Sequence, residues 1–152
     1  MSVIRRLLAV LVLAGALVAV LAVSPASAQV GGCTLATALK PANEVPLSNG
    51  MDFGAAVVHI NGGTVRFAVF IANISHETFV AGHIHLAPVG VAGPIVVPLF
   101  ASPGVMPFIF TQSGTVSIDP ALGAAICANP SAYYVNYHTT AHPSGTTRGQ
   151  LG

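Results

Sequence analysis

Charge is what this sequence has least of. Among its 152 residues are five Lys or Arg, four Asp or Glu and no tryptophan. So few cations cannot form the basic patch that neutralises phosphates, which argues against a nucleic-acid partner. The acids show no pair in the frame that glycoside hydrolysis uses. No serine stands with a base and an acid in a recognisable triad order. After the N-terminal region, no apolar run is long enough to span a bilayer.

What is present begins with an export signal. Arg5 and Arg6 precede an apolar run from Leu7 to Val23, followed by Ser24-Pro25-Ala26-Ser27-Ala28. A basic end, an apolar stretch and an Ala-x-Ala site form the order of a cleavable secretory signal. Pro25 ends helical structure where a peptidase needs extended chain. The sequence therefore predicts a signal peptide over residues 1–28 and a single domain over 29–152, secreted or held at the cell surface. An uncleaved anchor fits less well, because no stop-transfer charges follow. The mature part carries Lys40, Arg66 and Arg148 against Glu44, Asp52, Glu77 and Asp119, a net charge of −1.

The two cysteines are Cys33 and Cys127. In an exported chain they favour a disulfide closing a long loop. The chain-entropy model gives such a loop up to about 4–5 kcal/mol of stabilisation. Two alternatives stay open. Val30-Gly31-Gly32-Cys33 loosely resembles a lipobox, but it is set apart from the apolar run, and lipidating Cys33 would strand Cys127. Metal ligation by the cysteines lacks Cys-x-x-Cys spacing.

Gly and Pro punctuate the mature chain, and the segments between are rich in Val, Ile, Phe, Tyr and Thr, which reads as all-β. Strands are expected at 34–39, 54–60, 64–72, 79–86, 95–100, 108–111, 115–118, 132–138 and 147–151. Asn61-Gly62-Gly63 is a hairpin turn, and Pro98 marks an edge or bulge. On the strand 64–72, Val65, Phe67, Val69 and Ile71 share a face and Arg66 takes the other. Asp119-Pro120 predicts the cap and first residue of one short helix ending near Ala128. The expected fold is a Greek-key β-sandwich or barrel, superoxide dismutase-like or immunoglobulin-like.

Against so few charges stand six histidines. His83 and His85 flank Ile84 on a predicted strand, so both point to one face, about 6.5–7 Å apart at Cα. Imidazoles at that spacing can converge on one ion at about 2.0–2.1 Å. His138 ends another predicted strand, and His142 follows four residues later, before Pro143. If the strands are neighbours, His138 joins the pair and His142 reaches over the rim. Three or four neutral imidazoles suit copper or zinc. Asn136 and Glu44 are candidates to support the ligands from behind. The alternative is that these histidines lie on an exposed strand face or bond the backbone of the closing loop. His59 and His76 read as surface residues.

Several blocks carry a resemblance. They are Asn43-Glu44-Val45-Pro46, Gly82-His83-Ile84-His85, Gly93-Pro94-Ile95-Val96-Val97-Pro98-Leu99, and the run from Asn129-Pro130 through Tyr133-Tyr134-Val135-Asn136, His138-Thr139 and His142-Pro143 to Arg148-Gly149-Gln150-Leu151. In this order they resemble the CHRD domain, first named in chordin and widespread in exported microbial proteins. One departure is that Thr146-Thr147 stand where that family carries a Glu and an apolar residue. A weaker likeness is to the copper core of Cu/Zn superoxide dismutase. It implies His83, His85 and His138 as copper ligands and Arg148 facing an opening to attract anions. The zinc loop of that enzyme is missing, and no Cys follows Arg148.

Three functions follow as expectations. The first is an exported copper- or zinc-binding module with His83, His85, His138 and His142 as ligands or gate. The second is a non-enzymatic module for an extracellular partner, using a patch to which Tyr133, Tyr137 and Phe108 contribute. The third is a dismutase-like enzyme.

Overall fold

The computed structural model describes residues 31–152, so the expected signal peptide lies outside the described residues. Eight strands form two four-stranded antiparallel sheets. They are β1 (Cys33–Leu39), β2 (Phe53–Asn61), β3 (Thr64–Ala72), β4 (Phe79–Leu86), β5 (Ile95–Val105), β6 (Ile109–Ser117), β7 (Tyr133–Thr139) and β8 (Thr147–Gln150). The first sheet has the order β1-β2-β3-β6 and the second β5-β4-β7-β8. β3 therefore finds its neighbour β6 only after β4 and β5 have crossed to the other sheet, the connection of a Greek-key sandwich. The fold is an all-β sandwich, as the Val- and Thr-rich segments predict. Among the described residues, no helix is long and apolar enough to cross a membrane.

Alternation in the sequence becomes alternation in space. On β3, Val65, Phe67, Val69 and Ile71 point into the space between the sheets and are buried, while Arg66, Ala68 and Phe70 face outward. Ile84, Val97, Val135 and Tyr137 meet them from the second sheet. Phe79 stacks on Phe110 at 4.6 Å, and Tyr137 packs edge-on against Phe110 at 5.6 Å. Offset and edge-on pairs of this kind add to the energy of area burial.

Among the described residues the one α-helix, α1, runs Pro120–Ala128, and the Asp119 carboxylate accepts from the Ala121 N–H at 2.8 Å as its cap. Beyond it, Cys33 and Cys127 are bonded to each other, 94 residues apart in sequence, tying the start of β1 to the end of α1. Both sulfurs are thereby used, and neither the lipidated nor the metal-ligating alternative for Cys33 fits this arrangement.

Two expectations about strands are corrected. The short strands expected at 108–111 and 115–118 are one strand, β6, with Gln112-Ser113-Gly114 inside it. Gly114 reads as a turn but serves packing: it pairs with Phe67, and a Cβ there would come within 3.0 Å of the Phe67 ring. β5 runs on to Val105 rather than stopping at Phe100. As an edge strand it tolerates Pro98 and Pro103, and its register against β4 slips between Gly82 and His83 and again between Ile84 and His85.

β7 is buried along its whole length, on both faces. Its Tyr133, Val135 and Tyr137 enter the apolar core. Its even-numbered residues lie on the far side of the second sheet, roofed by the chain between β1 and β2, by the β4–β5 loop and by the β7–β8 loop. That roofed face holds the candidate site.

Candidate metal centre

Register brings the histidines together. β4 lies beside β7 with His85 opposite Tyr134, His83 opposite Asn136 and Ala81 opposite His138. Opposed residues share a face, so His83, His85 and His138 project from the same outer side. One ring nitrogen from each falls within 4.8 Å of the others. Ring centroids are 5.5 Å apart for His83–His85, 5.0 Å for His83–His138 and 5.7 Å for His85–His138.

Two of the rings are fixed from behind. His85 Nδ1 lies 2.9 Å from the Gly93 carbonyl, and His138 Nδ1 lies 3.1 Å from the Pro143 carbonyl. A carbonyl only accepts, so each Nδ1 carries the proton and each Nε2 presents a lone pair. Those Nε2 atoms, with His83 Nδ1, are buried and have no hydrogen-bond partner. Burial pushes the His83 pKa down to about 4, and the nearby His138 and His85 push the same way. Burial likewise lowers His85 and His138, against the opposing pull of their carbonyl partners. All three rings are neutral at pH 7, which is the ligating form. Orphaned lone pairs converging in a desolvated site fit a cation bound by nitrogen.

Tyr134 was not singled out by its sequence, yet it organises the neighbourhood. From β4, His85 lies parallel to its ring at 4.8 Å and 10°. From β8, the Arg148 guanidinium carbon sits 3.3 Å from the ring centroid. Its hydroxyl accepts from the Gly93 N–H at 3.1 Å, bracing the residue whose carbonyl holds His85. The available signal was parity: Tyr134, Asn136 and His138 alternate along one strand face.

Arg148 lines a small recess with Asn43, Val89, Gly90 and Gln150, and its guanidinium is engaged by protein acceptors there. It is 2% exposed, and it donates to Val91 O at 2.8 Å, Pro88 O at 3.0 Å and Gln150 Oε1 at 3.2 Å. A guanidinium this desolvated is tolerable because the loop after β4 supplies carbonyls in its fork geometry. Arg148 thus fixes the loop that carries Gly93.

Glu44 and Asn136 do meet behind the site. The Asn136 amide donates to Glu44 Oε2 at 3.3 Å, and both side chains are buried. Burial pushes the Glu44 pKa up to about 8, although Arg148 and Asn136 pull it down. Gly145 has φ +138°, and a Cβ there would come within 2.5 Å of both Asn136 and Glu44, so only glycine closes the loop over this pair.

His142 is not brought to the three rings. Its Nδ1 stands 2.8 Å from both Glu77 carboxylate oxygens, and its Nε2 is 2.7 Å from Asn49 Oδ1. The Thr139 hydroxyl also donates to Glu77. Pro143 sets the turn so that its own carbonyl meets His138 while His142 turns to Glu77, a pairing across 65 residues that spacing cannot reveal. Thr146 donates to the buried Asp52 carboxylate at 3.3 Å. Tyr133 and Tyr137 are 6% and 0% exposed and belong to the core, so they cannot form the expected interaction patch; Phe108 is exposed.

No curated protein and no solved structure matches the chain. The family model for the CHRD domain matches residues 35–151, from β1 through the residue after β8. The chain belongs to the CHRD domain family.

Proposed function

We propose that this is an exported copper- or zinc-binding module whose ion is held by His83, His85 and His138. One observation carries the reading: one ring nitrogen from each of the three histidines lies within 4.8 Å of the others, and each ring has a buried nitrogen without a hydrogen-bond partner. Leaving a buried polar atom unpaired costs about 1–3 kcal/mol, and an ion among the three would relieve all of them at once. Neutral imidazoles without a carboxylate in the set suit copper and zinc better than magnesium or calcium, which take oxygen. Export rests on the order of residues 1–28 and on the Cys33–Cys127 bond, which persists in oxidising compartments.

Titration of residues 29–152, prepared without a histidine tag, with Cu(II) and with Zn(II) tests the reading. One ion per chain is expected, with affinity falling at least 100-fold in His85→Ala/His138→Ala. Weak uptake that the double variant leaves unchanged would sink it.

A second reading, a module for an extracellular protein partner, is favoured by a different face. Phe53, Val57, Phe70 and Ile109 project outward from the first sheet and are 42–54% exposed. If that reading holds, Phe70→Ser abolishes retention of the partner from a cell-surface extract while leaving metal uptake intact.

A further inference from the structure

The three ligand histidines are not equivalent. His85 and His138 each give Nδ1 to a backbone carbonyl, and His85 also lies flat against Tyr134. His83 has no such tie: neither of its ring nitrogens has a hydrogen-bond partner among the described residues, and it is the only one of the three that is not buried as a residue. The backbone beneath it is also less regular. The β4–β5 register slips on both sides of His83–Ile84, and opposite His83 stands Pro98, which has no N–H to donate.

The spacing gives this asymmetry a consequence. The three nitrogens lie within 4.8 Å of one another. Three nitrogens each about 2.0–2.1 Å from one ion in a trigonal arrangement are about 3.5 Å apart. Closing from the wider spacing means movement on the order of an ångström. Rings held by hydrogen bonds and stacking resist it, and a ring held by neither can rotate at small cost.

We propose that His83 is the closing ligand of the centre: His85 and His138 form a standing pair that captures the ion, and His83 swings in to complete the set and swings out to release it. This rests on the metal-binding reading above. It assigns capture to two residues and retention to a third, so the two rates respond to different substitutions.

The test is Zn(II) uptake and release by residues 29–152, followed by rapid mixing with the free metal and then with a chelator. His83→Ala is expected to raise the release rate by about 10–100-fold while changing the capture rate by less than about threefold, the pattern of an interaction made after encounter. His83→Gln, which keeps bulk without the ring, should match it. His85→Ala and His138→Ala should instead lose capture. In the metal-free protein, ¹³C relaxation of the ring carbons should show His83 reorienting faster than His85 and His138. If the wild-type chain takes up neither zinc nor, in the same experiment with Cu(II), copper, the metal reading falls and this role falls with it. If it takes up either ion and His83→Ala leaves release unchanged, or slows capture as much as His85→Ala does, the closing role alone is overturned. A His83 ring as rigid as the other two in the metal-free protein also overturns it.

Discussion

The outer faces of the two sheets have been put to opposite uses. The first sheet leaves its outer face to water: along β2 and β3, buried and exposed residues alternate with few exceptions. The second sheet has its outer face roofed by loops, and β7 is buried at every position. Where the roof sits, polar side chains are desolvated, and their partners are scarce. The unpartnered nitrogens of His83, His85 and His138, and Glu44 Oε1 and Asn136 Oδ1 beside them, all lie on that side. A sandwich needs only one buried layer to fold. A second, polar layer adds desolvation cost without adding apolar burial, and it is there that His83 and Glu44, both strongly shifted, lie.

The comparison can be broken at three levels of effect. The largest is within the first sheet. Phe67 and Phe70 lie on the same strand, 5% and 42% exposed. Phe67→Ala should cost about 3–5 kcal/mol by cavity formation, and Phe70→Ala less than about 1 kcal/mol. Denaturant melts of the two variants check it, and equal losses would mean that the first sheet also has a covered outer face. Next come two arginines on opposite sides of the molecule. Arg148→Met should cost about 2–4 kcal/mol, because it leaves the Pro88 and Val91 carbonyls unpaired and loosens the loop carrying Gly93. Arg66→Met, on the open face, should stay within about 0.5 kcal/mol. Thermal melting of both variants compares them directly.

Smaller, and specific to the roofed face, is the pH dependence of the metal-free protein. His83 titrates at about 4 when folded against an ordinary value of 6.5. The unfolded chain therefore binds the extra proton between those values, and stability rises with pH across that window. Glu44 titrates at about 8 against 4.5. Here the folded chain keeps the proton, so stability present below pH 4.5 is lost as pH rises toward 8. Above pH 6.5 the histidine contribution is complete and only the Glu44 loss continues. Denaturation midpoints should decline between pH 6.5 and 8 in the wild type and stay level in Glu44→Gln. A decline that survives the substitution would place its source elsewhere.

The sequence showed the sandwich and two of the centre's residues for the same reason: both depend on a two-residue period. Val65 to Ile71 announces a core face, and His83-x-His85 announces a shared face, without knowledge of any partner strand. His138 needed one more assumption, that β4 and β7 are neighbours, and the register grants it. What stayed hidden depends on contacts between distant segments. Gln112-Ser113-Gly114 looks like a turn until Phe67 is laid across it. Arg148 looks like a free cation until the loop at 88–91 folds over it. Glu44 and Asn136 each read as a candidate support for the ligands, but their meeting depends on Gly145 passing closely above both.

His142 is the sharpest case, and it yields the smallest predicted effect on the centre. Spacing puts it four residues beyond His138 and offers it as a fourth ligand. The fold spends both its nitrogens on Glu77 and Asn49, and its own backbone N–H goes to the Thr139 hydroxyl at 3.0 Å. Recruiting it to an ion would break these contacts and strip Glu77 of a partner, a cost of roughly 1–3 kcal/mol for the group left unsatisfied. A fourth position can be filled by water at no such cost, as in zinc sites with three protein ligands. His142→Ala should therefore leave zinc and copper affinity within about threefold of the wild type while lowering the melting temperature through loss of the Glu77 contact. A loss of affinity comparable to that of His85→Ala would show that the β7–β8 loop rearranges on binding and would make His142 a ligand after all.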